Sequence, residues 1–97
     1  MKVVYTDEAL DNLDEILGFL AANYPIISTL FEKQLRTVCV RIGAWPKSAE
    51  AVAERPGVRV VPLIRYPYKV FYRIKGRSVE ILYIHHVARQ NPWGKEA

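Results

Sequence analysis

Cysteine, histidine and methionine are scarce in this 97-residue chain: one Cys, two His and one Met. A single cysteine, Cys39, excludes an intramolecular disulfide, and no Cys/His grouping has the spacing of a zinc site, so no metal or other cofactor is expected. No apolar run approaches the ~18–20 residues that cross a bilayer, which leaves no membrane-spanning role. The start, Met1-Lys2-Val3-Val4-Tyr5-Thr6-Asp7-Glu8, carries acid where a signal peptide needs an apolar core. That argues against secretion by this route and for a cytoplasmic protein. Hydrophobic residues at 51% and charged residues at 25% match an ordinary globular chain and speak against disorder. The length suffices for one core, so residues 1–97 are expected to form a single domain.

Acid is what the second half lacks. Residues 55–97 hold nine Lys/Arg against two Asp/Glu, whereas residues 1–54 hold five against eight. The net +4 therefore divides into −3 and +7, an asymmetry that points to an anionic partner. The competing reading is that the basic residues are simply solvated.

The expected elements follow from periodicity. A β-prone start covers residues 1–6. Thr6 or Asp7 then caps a helix whose Leu10, Leu13, Leu17, Leu20 and Tyr24 recur by threes and fours, with acids on the other faces. Tyr24-Pro25 ends it, because the residue before proline avoids the α conformation. Ile27, Phe31, Leu35, Val38 and Ile42 mark a second helix, stopped by Gly43 and Trp45-Pro46. Residues 7–43 thus read as a helical hairpin with Cys39 as a small core residue, and 44–57 as a loop.

Three β-rich runs make a meander over 58–86: Val58 to Ile64, Tyr68 to Ile74 and Val79 to His85. A two-residue type II′ turn at Gly76-Arg77 joins the last two. It sets Arg73 opposite Glu80, Tyr72 opposite Ile81 and Val70 opposite Tyr83. Residues 87–97 are left as a tail. The fold class is α+β, ordered β-α-α-β-β-β, with the hairpin on one face of a small twisted antiparallel sheet. Strict alternation puts Val70, Tyr72, Ile74, Val79, Ile81 and Tyr83 under the helices. Lys69, Phe71, Arg73, Glu80, Leu82, Ile84 and His86 go to the other face, with Arg59 and Arg65 counted on the basic side. A half-apolar, basic face calls for a nucleic-acid backbone or an acidic amphipathic peptide.

Four segments in this order resemble the RelE/ParE toxin superfamily, in particular its ParE-like plasmid-stabilisation branch. They are Tyr5-Thr6-x-x-Ala9, Gly57-Val58-Arg59, Tyr68-Lys69-Val70-Phe71-Tyr72-Arg73-Ile74, and the run from Val79 through Ile84-His85-His86-Val87-Ala88-Arg89. The resemblance spans roughly residues 2–92. It implies a cytoplasmic toxin neutralised by a cognate antitoxin, whose acidic, partly apolar C-terminal segment would cover the basic face.

On activity the superfamily divides. ParE-like members generally inhibit DNA gyrase. RelE-like members cut mRNA on the ribosome, with Lys/Arg and a Tyr or His, and a third outcome is a member that retains only antitoxin binding. For RNA cleavage the positions carried over are Arg59, Arg73 and His86. That chemistry needs a base for the 2′-hydroxyl, positive charge at the phosphate and an acid for the leaving oxygen. In the gyrase reading there is no catalytic set, and Arg59, Arg65, Lys69, Arg73, His86, Arg89 and Trp93 are binding residues. Each also has a plainer role: Arg73 pairs with Glu80 across the strands, worth ~0.2–1 kcal/mol, and His86 bonds to backbone near its strand end. Trp93, in Asn91-Pro92-Trp93-Gly94, either folds back on the sheet or stands out as an anchor.

Overall fold

The computed structural model describes residues 1–89 and 92–93. It contains β1 (Lys2–Tyr5), α1 (Asp7–Asn23), α2 (Pro25–Ala44), β2 (Glu50–Ala51), β3 (Val58–Pro62), β4 (Tyr68–Lys75) and β5 (Ser78–His86). The strand order is β1-β5-β4-β3-β2, with the two helices packed on the sheet.

Local chemistry explains the boundaries. Thr6 Oγ1 accepts from the Ala9 N–H at 3.2 Å and donates to the Ile81 carbonyl at 2.9 Å. The cap of α1 is thereby also a tie to β5. One residue, Tyr24, separates the helices, and Pro25 opens α2 where its missing N–H costs nothing. The end of α2 returns to β1: the Met1 amino group donates to the Gly43 carbonyl at 2.7 Å. A Cβ on Gly43 would lie 2.9 Å from the Met1 carbonyl oxygen and 3.1 Å from Val3 Cγ2, so this close approach requires glycine.

The sheet is mixed, not antiparallel. β1 runs parallel to β5, with Lys2 opposite Ser78 and Tyr5 opposite Ile81. Short hairpins force β3, β4 and β5 to alternate in direction, whereas β1 reaches β5 through the helices and is free of that constraint. The expected loop at 44–57 also contains β2, whose two residues pair with β3.

Gly76 has φ +60 at the β4–β5 turn, and Arg73↔Glu80 and Tyr72↔Ile81 pair as the turn chemistry predicts. Beyond them the register slips. Phe71 pairs with Tyr83 and Val70 with Ile84, leaving Leu82 as the extra residue of a β-bulge. Ile84 therefore joins the buried cluster with Val70, Tyr72, Val79 and Ile81, and Tyr83 moves to the opposite face with Phe71.

The helical contribution to the core is Ala9, Ile16 and Leu20 from α1 with Phe31, Leu35, Val38 and Ile42 from α2. Leu10 and Tyr24, expected in the α1 stripe, are 45% and 56% exposed. Two stripes fit a three-four spacing here. The Thr6 cap fixes the phase that buries Ala9 and Ile16, a small residue and one the leucine count passed over. Ile27, at the first turn of α2, is likewise partly exposed.

Cys39 is half-buried, its Sγ 3.3 Å from the Tyr5 hydroxyl oxygen. Burial pushes the Cys39 thiol above its ordinary value, and burial with the thiol contact pushes the Tyr5 phenol up too. Both groups are neutral when protonated, so the unfolded chain ionises first as pH rises. The stabilisation is complete below the unfolded thiol's ~8.5 and declines above it. The melting temperature is expected to fall as pH rises above about 8.5, and Cys39→Ala is expected to flatten that fall. Parallel curves for the two proteins would contradict the assignment.

Candidate functional site

Cross-strand pairing sorts the side chains into two faces, and the bulge decides the sorting. Residues directly opposite one another share a face. On the face away from the helices lie three rows. The first runs Val4, Glu80, Arg73, Val58; the second Tyr83, Phe71, Val60; the third His85, Lys69, Pro62.

The middle row is aromatic and covered. Phe71 is only 2% exposed although it faces away from the helices. Its cover is Trp93, whose ring meets it edge-on at 5.3 Å, with Tyr83 edge-on at 6.4 Å on the other side. Cations flank these rings: Arg55 lies 5.2 Å from the Trp93 centroid and Lys69 Nζ 5.4 Å from the Phe71 centroid. The indole N–H of Trp93 is buried with no hydrogen-bond partner among the described residues, so ring contacts hold it there. In the first row Arg73 Nε donates to Glu80 Oε1 at 2.8 Å, and Lys75 Nζ stands 4.0 Å from Glu80 Oε2. One carboxylate thus serves two cations on an open surface, where an exposed pair contributes only ~0–1 kcal/mol. The result is a basic, aromatic, partly apolar face.

The family model described as "ParE toxin of type II toxin-antitoxin system, parDE" matches residues 3–91. The chain belongs to the ParE toxin family. It is thus a toxin of the toxin–antitoxin class, and that membership implies a cognate antitoxin as partner. Among solved structures, a chain of the chromosomal ParDE toxin–antitoxin system from P. aeruginosa is similar at 26% identity and TM-score 0.77. That match covers 90% of this chain and 96% of that one. The isolated E. coli RelE toxin shares the fold at 14% identity and TM-score 0.62, with 95% and 89% covered. A comparison with curated protein sequences gives no significant match. No helix among the described residues is long and apolar enough to cross a membrane. Nor do the described residues contain a group of three His, Cys, Asp or Glu side chains that could hold a metal ion.

Of the residues singled out in the toxin's sequence, Lys69, Arg73 and Trp93 come together on the open face. Arg59 does not join them. It pairs with Tyr72, on the helical face, and its guanidinium donates to the Lys47 carbonyl at 3.1 Å and the Ala49 carbonyl at 2.7 Å. The Tyr72 hydroxyl donates to the neighbouring Pro46 carbonyl at 2.6 Å. Arg59 therefore pins the segment after α2. Burial pushes the Tyr72 phenol up, with the Arg59 charge opposing.

His86 is also elsewhere, because the bulge reverses the parity that placed it beside Arg73. It pairs with Tyr68, its ring edge-on to that tyrosine at 5.3 Å, and it borders a cleft against Asn12, Glu15 and Phe19 of α1. Its Nδ1 accepts from the Ala88 N–H at 3.0 Å, which leaves Nε2 to carry the proton of the neutral ring. Arg89 lines the same cleft and its backbone N–H donates to the His86 carbonyl. Arg65 occupies the β3–β4 connection at φ 74, against Leu30 and Lys33 of α2. Asn91 and Gly94 lie outside the described residues.

The sequence reading missed Phe71 and Tyr83 as a covered aromatic row, and it missed Arg55 altogether. A signal was present. The buried residues of β5 are Val79, Ile81 and Ile84, a spacing of two and then three, which is how a bulge looks in a half-buried strand.

Proposed function

We propose that this toxin acts by binding, with DNA gyrase as its target, and that its antitoxin neutralises it by covering the face that carries Lys69, Arg73, Phe71 and Trp93. One observation carries the reading. The three side chains that RNA cleavage would need, Arg59, Arg73 and His86, lie at three separate places: the segment after α2, the open face, and the cleft beside α1. Acid–base cleavage requires its groups within hydrogen-bond reach of one phosphodiester. A docking face has no such requirement. Its cations meet carboxylates, and the half-buried Trp93 and Tyr83 supply the apolar area of an anchor.

Induced expression of the toxin alone in bacteria, with RNA ends and the DNA-damage response followed together, tests this. The expected result is filamentation with double-strand breaks and intact mRNA, unchanged by His86→Ala. Rapid cleavage within open reading frames that His86→Ala abolishes would replace the proposal with the ribosome-dependent endonuclease. Healthy growth with neither signal would reduce the role to antitoxin binding.

A further inference from the structure

The far end of α2 carries an apolar strip that the proposed binding face does not use. Val40 is 70% exposed, Met1 56% and Trp45 69%, in a chain whose other tryptophan is packed on the sheet. Two adjoining shallow clefts, of about 390 and 430 Å³, join these residues. One runs from Arg36 and Val40 to Ala44, the other from Ala44 past Trp45 to Lys47 and Ile74. The charged side chains lining both clefts are cations, Arg36 and Lys47, with no carboxylate among them. An exposed tryptophan beside an apolar cleft with a cationic rim has the composition of a protein-docking anchor, and the occupant it favours is acidic with an apolar centre.

The same chain displays such an occupant. Helix α1 contains five carboxylates and no Lys or Arg. Asp7, Asp11 and Asp14 are exposed along one side of it around Leu10, itself 45% exposed. No ion pair within the described residues involves them. Like charges three and four residues apart on a helix repel, and an approaching cation relieves that cost.

We infer that two copies of the free toxin associate, α1 of one copy docking its Asp7-Leu10-Asp11-Asp14 side onto the Val40–Met1–Trp45 strip of another. The contact leaves the Lys69–Arg73 face open, so it stands independently of the gyrase reading. Leu10 enters the apolar strip beside Trp45, and the aspartates meet Arg36 and Lys47.

Sedimentation equilibrium of the antitoxin-free, full-length toxin, from low to several hundred micromolar, is the test. The wild type is expected to rise above the monomer mass, more weakly at high salt. Asp11→Lys with Asp14→Lys, and separately Arg36→Glu with Lys47→Glu, are each expected to weaken association by at least roughly tenfold. All four replaced together are expected to restore it. These positions are exposed, and circular dichroism establishes that each variant is folded. A second variant, Trp45→Ala, removes the anchor without touching charge and is expected to weaken association similarly. A monomer across the whole range, reversals without effect, or a fourfold variant that stays as weak as its parents would each overturn the inference.

Discussion

Phe31→Ala is expected to lower the unfolding free energy by about 3–5 kcal/mol, the range for a buried phenylalanine truncated in a packed core. Phe31 has no exposed surface and meets two tyrosines edge-on, Tyr66 at 5.7 Å and Tyr68 at 5.5 Å. Tyr68 in turn meets His86. The chain of rings joins α2, the β3–β4 connection and the end of β5, so no single neighbour can fill the space that truncation leaves. Total stabilities of domains this size are about 5–15 kcal/mol, and a loss on this scale lowers the melting temperature by more than about 10 °C. Urea unfolding measures it. A loss below about 1 kcal/mol would mean that the ring chain repacks around the gap.

The largest functional effect is expected at the open face. If the antitoxin covers this face as proposed, Lys69→Glu combined with Arg73→Glu should weaken that complex by roughly a hundredfold, since each reversal would replace a charge-assisted contact with a repulsion. The paired comparison is Arg59→Ala. Its guanidinium is spent on the Lys47 and Ala49 carbonyls, so this change should cost stability and leave antitoxin affinity within about threefold. Titration calorimetry against the antitoxin separates the two. If Arg59→Ala weakened binding as much as the double reversal did, the partner would have to reach the helical side of the sheet.

The contrast between Arg59 and Arg73 also shows what the sequence could and could not reveal. Helix boundaries were legible where one or two residues have a local role: Thr6 as cap, Tyr24-Pro25 at the end of α1, Trp45 after α2. Gly43, expected as part of the stop, lies inside α2. The Gly76-Arg77 turn was legible for the same reason, and it fixed the pairing of Arg73 with Glu80. Pairings farther out depended on counting by twos, and one unpaired residue, Leu82, ended the count. From that residue onward Tyr83, Ile84, His85 and His86 exchange faces, and the candidate site changes membership with them. Arg59 was misplaced for a different reason. Its face depends on the β3–β4 register across an eight-residue strand and a proline-bearing loop, and nothing local to Arg59 records that register. Parallel pairing of β1 was illegible because it joins residues far apart in sequence.

That parallel pairing has a consequence in time. Residues 2–5 have their strand partner only in residues 78–81, and the Thr6 tie to Ile81 closes at the same moment. At roughly 5–20 residues per second of synthesis, the first strand waits roughly 4–15 s for the last to emerge. Throughout that interval the residues of α1, α2 and β3 are made without β5, and the face bearing Lys69, Arg73 and Phe71 lacks one of its strands. The proposed binding surface is therefore among the last things translation delivers. An antitoxin that recognises the finished face has no target during synthesis and meets the toxin only as a completed sheet.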